Sequence, residues 1–86
     1  MALYMIVERF PAENLDAIYK RLHTKGRGLP DGLHFVESWL SDAGDTVWQI
    51  METDDPATFD KWTPYWDDLV SFEITPLKAK PKPTGE

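Results

Sequence analysis

Leu33-His34-Phe35-Val36-Glu37-Ser38-Trp39-Leu40, then Asp42-Ala43-Gly44-Asp45, then Thr46-Val47-Trp48-Gln49-Ile50-Met51-Glu52, is the stretch whose reading decides the fold. The outer runs are rich in β-branched and aromatic residues, which suit a pleated, half-buried surface. The four residues between them are turn formers at hairpin length. Two antiparallel strands joined by a tight turn are therefore expected at the centre of the chain.

The flanks of this hairpin match one another in type. On the N-terminal side, Leu3-Tyr4-Met5-Ile6-Val7-Glu8-Arg9-Phe10 reads as a strand, and Pro11 stops it because proline has no N–H for a ladder. The run is apolar on both alternating faces until Glu8, so both faces are expected to be covered. A helix follows from about Glu13 to Thr24, with Leu15, Ile18, Tyr19 and Leu22 at i, i+3, i+4 and i+7 as one apolar stripe. Gly26 suits the position just past the helix, and Lys25 suits its negative end. Gly26-Arg27-Gly28-Leu29-Pro30-Asp31-Gly32 reads as a loop.

On the C-terminal side, Thr53-Asp54-Asp55-Pro56 is a helix start, with an aspartate to cap and proline for the first helical position. Phe59, Trp62, Trp66 and Leu69 then repeat at helical spacing. Pro64 interrupts them by removing a backbone donor, so two helical pieces are expected, near 57–62 and 64–68. Val70-Ser71-Phe72-Glu73-Ile74-Thr75 alternates cleanly and reads as the last strand. From Pro76 onward the chain is rich in Lys and Pro, and residues 77–86 are expected to form an extended or disordered tail beyond a single domain at 1–76.

The order β-α-β-β-α-β points to an α+β, ferredoxin-like plait. Right-handed crossovers place both helices on one face of a four-stranded antiparallel sheet, with the first strand central beside the third. The other face is then bare, although it also carries apolar and aromatic residues. Such a patch exceeds what a monomer normally exposes. A second sheet packed against it, making a dimeric α/β barrel, is the expected remedy, so the chain's expected partner is a second copy of itself.

Composition narrows the function classes. A chain of 86 residues buries only roughly 60–65% of its unfolded surface and often needs outside help to be stable. It has no cysteine, which removes disulfides, zinc–thiolate sites and a cysteine nucleophile. With only His23 and His34, an all-histidine metal site is also poor, and neither a metal nor a cofactor is expected. Residues 1–77 hold six Lys/Arg against fourteen Asp/Glu, whereas 78–86 hold three Lys against one Glu. An acidic body repels phosphate backbones, so nucleic acid is not an expected partner. No apolar run reaches the roughly 20 residues of a membrane span, and the first residues lack the features of a secretion signal. A cytoplasmic location is expected.

The segments already quoted resemble a known family. Leu3–Phe10 looks like its opening strand. Leu29-Pro30-Asp31-Gly32-Leu33, Val36-Glu37-Ser38-Trp39, Trp48-Gln49-Ile50-Met51-Glu52-Thr53-Asp54-Asp55-Pro56 and Trp66-Asp67-Asp68-Leu69-Val70-Ser71-Phe72-Glu73 look like its later segments. The family is a group of short bacterial proteins gathered as domain of unknown function number 3303, and the resemblance covers about residues 3–76. It implies a ferredoxin-like, dimeric α/β-barrel fold. It implies no activity and so carries over no catalytic residues. Pro64 stands where an ordinary helix former is expected.

No signature motif of chemistry is present. Gly26-Arg27-Gly28 lacks the glycine and lysine spacing of a phosphate loop, and there is no Gly-x-Ser-x-Gly or His-Glu-x-x-His. Glu8, Glu37 and Glu52 each lie in a strand, where an unpaired buried carboxylate is costly. Two of them converging in a dry pocket could act as acid and base or hold a cation. The plainer alternative puts each at a strand end, in solvent or paired with Arg9, Arg27 or Lys61. His34 is the one histidine on a strand and a candidate base; its plainer reading is a hydrogen-bonded or exposed edge residue. The aromatics Tyr4, Phe35, Trp39, Trp48, Trp62 and Trp66 suit a ligand cage, or simply core and interface. Asp54-Asp55 is better explained by capping, and Asp67-Asp68 points two ways on a helix.

The leading expectation is a dimeric module that binds or senses a small molecule, in a pocket between sheet and helices or between subunits. Its expected lining is Tyr4, Ile6, Glu8, His34, Trp39, Trp48 and Met51, drawn from both pleat faces. The alternatives are a cofactor-independent monooxygenase- or isomerase-like enzyme with Glu8 or His34 as base, and a purely structural or interaction protein. The first rests on fold analogy alone.

Overall fold

The computed structural model describes residues 2–78. Strand β1 (Ala2–Arg9) leads through a 3-10 turn (Ala12–Asn14) into helix α1 (Leu15–Lys25). Strands β2 (His34–Leu40) and β3 (Thr46–Thr53) form the central hairpin. A short helix α2 (Thr58–Trp62) passes into a second 3-10 turn (Thr63–Tyr65), and strand β4 (Ser71–Leu77) closes the sheet. The four strands are antiparallel in the order β2-β3-β1-β4, the ferredoxin-like arrangement expected from the sequence. Of the expected tail, residues 79–86 lie outside the described residues. No helix among the described residues is long and apolar enough to cross a membrane.

Pro64 breaks the helix as expected, but the second piece expected near 64–68 is only a 3-10 turn at Thr63–Tyr65. The second helical region is split at Thr63, with proline inside the 3-10 turn, where the missing N–H costs little. Asp55 terminates the approach to α2: its Oδ1 accepts the Ala57 N–H at 2.9 Å. The buried hydroxyls of Thr53 and Thr58 lie 3.1 and 2.8 Å from the Asp55 carbonyl and lock the same corner. Pro76 is a correction to the expected end of the fold. Strand β4 runs on to Leu77, with Pro76 opposite Tyr4. As β4 is an edge strand, a residue without an N–H can face outward there.

The pleat divides the sheet into two unlike faces. Ile6, Gln49, Met51 and Thr53 are buried beneath the helices, and they alternate with Val7, Trp48, Ile50 and Glu52 on the opposite face. The core adds Phe10, Leu33, Phe59, Trp62, Trp66 and Val70. Rings meet edge to face along it, Tyr4 on Phe59 at 5.0 Å and Trp62 on Phe72 at 5.1 Å. Helix α1 sits differently. Leu15, Ile18 and Leu22 pack against the core, yet none of its residues is fully buried. The space left beneath it is where the candidate site lies.

Strand β2 carries a bulge. Phe35 faces Met51 and Glu37 faces Ile50, leaving Val36 as the extra residue. The extra residue reverses the alternation, since one added position turns every following side chain to the other face. Phe35, Ser38 and Leu40 therefore share the helix side, and His34, Glu37 and Trp39 share the open side.

Candidate functional site

A cavity of about 120 Å³, open on one side, lies between the sheet and α1. Its floor comes from three neighbouring strands: Glu8 on β1, Val47, Gln49 and Met51 on β3, and Ser38 and Leu40 on β2. Ile18, Tyr19 and Leu22 of α1 form one wall. Arg27 and Leu29 of the following loop, with Trp62 and Trp66, form the other.

The loop is held there by a convergence of donors. The indole N–H groups of Trp62 and Trp66 both donate to the Arg27 carbonyl, at 3.0 and 2.9 Å. Tyr65 donates its hydroxyl to the Lys25 carbonyl at 3.2 Å, and its ring lies against Gly28. Gly28 has φ of 71°, and a Cβ there would fall 2.6 Å from the Tyr65 ring, so both conformation and space require glycine. On the outer side, Arg21 of α1 grips Asp68 with two hydrogen bonds of 2.7 Å and donates to the Tyr65 carbonyl at 2.8 Å. Asp68 is therefore committed to an ion pair, and the side chain of Asn14 ties α1 to the Leu69 carbonyl at 3.0 Å.

The polar groups inside form a short chain. Arg27 stacks on Phe35, its guanidinium carbon 3.5 Å from the ring centre, and donates to Gln49 Oε1 at 3.2 Å. Gln49 Nε2 in turn approaches Glu8 Oε2 at 3.5 Å and Met51 Sδ at 3.4 Å. Among the described residues, Glu8 ends this chain with a single long hydrogen bond. Burial pushes its carboxyl up from 4.5 to about 7, and the nearby Arg27 charge only partly opposes that. Burial also lowers the Arg27 pKa from its ordinary value, against the attraction of Glu8. The two indoles have spent their N–H groups on the loop, so they offer the cavity apolar surface. The arrangement is an apolar pocket with one under-bonded carboxyl that changes charge near neutral pH. It can accept a hydrogen bond when ionised and donate one when protonated.

The residues singled out from the sequence are distributed unevenly. Glu8 and Met51 line the cavity, and Trp39 borders it between Ser38 and Leu40. By alternation, the Trp39 side chain belongs to the open face, directly across from Trp48; both are among the exposed large apolar residues. Ile6 is wholly buried in the core, and Tyr4 packs on Phe59. His34 is exposed on the open face opposite Glu52, and it edges a separate polar cleft with Asp31, Asp55 and Lys61. The three strand glutamates do not converge. Glu37 and Glu52 lie on the face opposite Glu8, and the Glu37 carboxylate accepts the Ser38 N–H at 3.1 Å. Gln49 and Ser38 are cross-strand neighbours, and Gln49 bonds Arg27 and Glu8. The sequence names Arg27 only as a candidate charge partner of a strand glutamate and foresees neither its place in the cavity wall nor its bond to Gln49. Its only local signal is a lone cation between two glycines in the β2-bound loop.

No curated protein matches this chain. The model of a family described as a domain of unknown function (DUF3303) matches residues 2–79, nearly the whole of the sequence, and the chain therefore belongs to that family.

Proposed function

We propose that this protein binds a small molecule in the cavity between its sheet and α1, as a homodimer joined through the open faces of two sheets. The observation that carries the binding reading is Glu8: a carboxyl with one long hydrogen bond among the described residues, at the floor of a cavity whose walls are largely apolar. Burying such a group with so weak a partner is costly, and sites that tolerate the cost are enriched in binding and catalytic function. The dimer reading rests on the open face, where Trp39 and Trp48 pair across β2 and β3 while about half exposed, at 53% and 41%. A second copy offers the same apolar surface, and an isologous contact buries both.

A proton-transfer enzyme is the second reading, and the Glu8 pKa of about 7 favours it, because a general acid–base works best near the ambient pH. Native mass spectrometry of freshly purified protein tests the first reading. A dimer with a defined extra mass is expected, and Leu22→Trp, which fills the cavity from α1, should remain a dimer and lose that mass. An extra mass retained by Leu22→Trp would place the ligand elsewhere. Turnover of the released ligand that stops in Glu8→Gln while binding persists would select the enzyme.

A further inference from the structure

Resting on the pocket reading above, we infer that the ligand is an uncharged molecule of about one six-membered ring carrying a hydroxyl, which donates its hydrogen bond to Glu8. Size sets the first limit. The cavity holds about 120 Å³, and an apolar cavity of about 150 Å³ accommodates one benzene ring. A fused bicycle or a long chain would have to protrude through the open side.

Shape and surface set the second limit. Leu22, Leu29, Trp62 and Trp66 present apolar walls, and both indole N–H groups are bound to the Arg27 carbonyl. A flat, apolar body gains from every wall and loses no hydrogen bond to them.

The polar end sets the third. Every donor in the cavity chain points toward Glu8: Arg27 to Gln49 Oε1, then Gln49 Nε2 to Glu8 Oε2. The last contact is 3.5 Å, so in its ionised form Glu8 has acceptor capacity to spare and takes a donor. The ligand must supply one. An ammonium is disfavoured because Arg27 already brings a positive charge to the same end, and the remaining walls cannot solvate a second. A carboxylate is disfavoured by the ionised Glu8. A neutral hydroxyl meets neither penalty. Ser38 Oγ has no protein hydrogen bond among the described residues and lies one strand beyond Gln49, where it can accept from or donate to a substituent on the same ring.

Phenol, toluene, benzylamine and benzoate form the test set, titrated against the full chain and followed by amide and indole NMR shifts. Phenol is expected to bind with shifts at Leu22, Gln49 and Trp62, at least about tenfold tighter than toluene. In Glu8→Gln the preference of phenol over toluene should shrink to less than about threefold. Phenol and toluene binding alike in the wild-type protein would overturn the hydroxyl assignment and leave the pocket reading standing. Benzylamine or benzoate binding tightest would overturn the uncharged class, again with the pocket intact. No shift with any of the four probes would overturn both the ligand class and the pocket reading.

Discussion

Glu8 is the residue on which the chemistry of this fold turns, and its energetics are measurable. In the folded protein it keeps its proton to about pH 7, whereas in an unfolded chain it loses it near 4.5. Between those values the unfolded chain binds fewer protons, so this group makes stability fall as pH rises from about 4.5 to about 7, and contributes no slope beyond. The size of the fall is about 3 kcal/mol, from the 1.36 kcal/mol that each pH unit carries. Glu8→Gln removes the titrating group, so urea unfolding at pH 5 and pH 8 should show the variant losing this part of the difference. At pH 8 it should be more stable than the wild-type protein by roughly 3 kcal/mol. Parallel wild-type and variant profiles would sink the assignment. Gly28 is a second such residue. Gly28→Ala should destabilise by about 2 kcal/mol or more, through a left-handed φ and the Tyr65 ring. In a Tyr65→Ala background the same change should cost at least about 1 kcal/mol less, a coupling that a double-mutant cycle in urea would reveal.

At the scale of elements, the loop from α1 to β2 depends on the α2 region more than on its own composition. Trp62 and Trp66 share one acceptor, the Arg27 carbonyl. Trp62→Phe and Trp66→Phe each leave that carbonyl one donor, whereas the double variant leaves it none. The double variant should therefore exceed the sum of the single costs by about 1 kcal/mol, since an unsatisfied part-buried acceptor costs more than a weakened one. Strict additivity in equilibrium unfolding would show that water takes over. Much of this level was legible in the sequence. The stripe Leu15, Ile18, Leu22 announced α1, and Pro64 announced the break after α2, because both are local effects of spacing and of a missing donor. The bulge at Val36 was not legible. Nothing in Phe35-Val36-Glu37 distinguishes a bulged strand from a regular one, because the bulge is a relation to β3 and not a property of β2.

For the whole molecule, the open sheet face governs assembly. Trp48→Arg places a charge opposite Trp39 on the proposed contact, and the variant should run as a monomer in size-exclusion chromatography with light scattering while the wild-type chain runs as a dimer. Because Trp48 lies outside the helix-side core, its far-UV circular dichroism should be unchanged. A wild-type monomer at micromolar concentration would remove the dimer and leave the exposed tryptophans to another occupant. The acidic body of the chain gives two copies like charges, so association should strengthen with added salt.

The sequence by itself determined the order of elements, the antiparallel hairpin at the centre and the family resemblance. The first two follow from periodicity, turn formers and capping, which act over a few neighbours, and the resemblance rests on the quoted segments. It also put Glu8 among the candidates, because a carboxylate in a strand is an anomaly visible in one dimension. Tertiary structure decided which anomalies meet. Register and the Val36 bulge sent Glu37, Glu52 and His34 to the open face and left Glu8 alone beneath α1, with Arg27 brought from a loop nineteen positions away in the chain. A strand's side chains alternate with period two, so one inserted residue reassigns a face. That reassignment depends on the neighbouring strand, and so does the cavity that results from it.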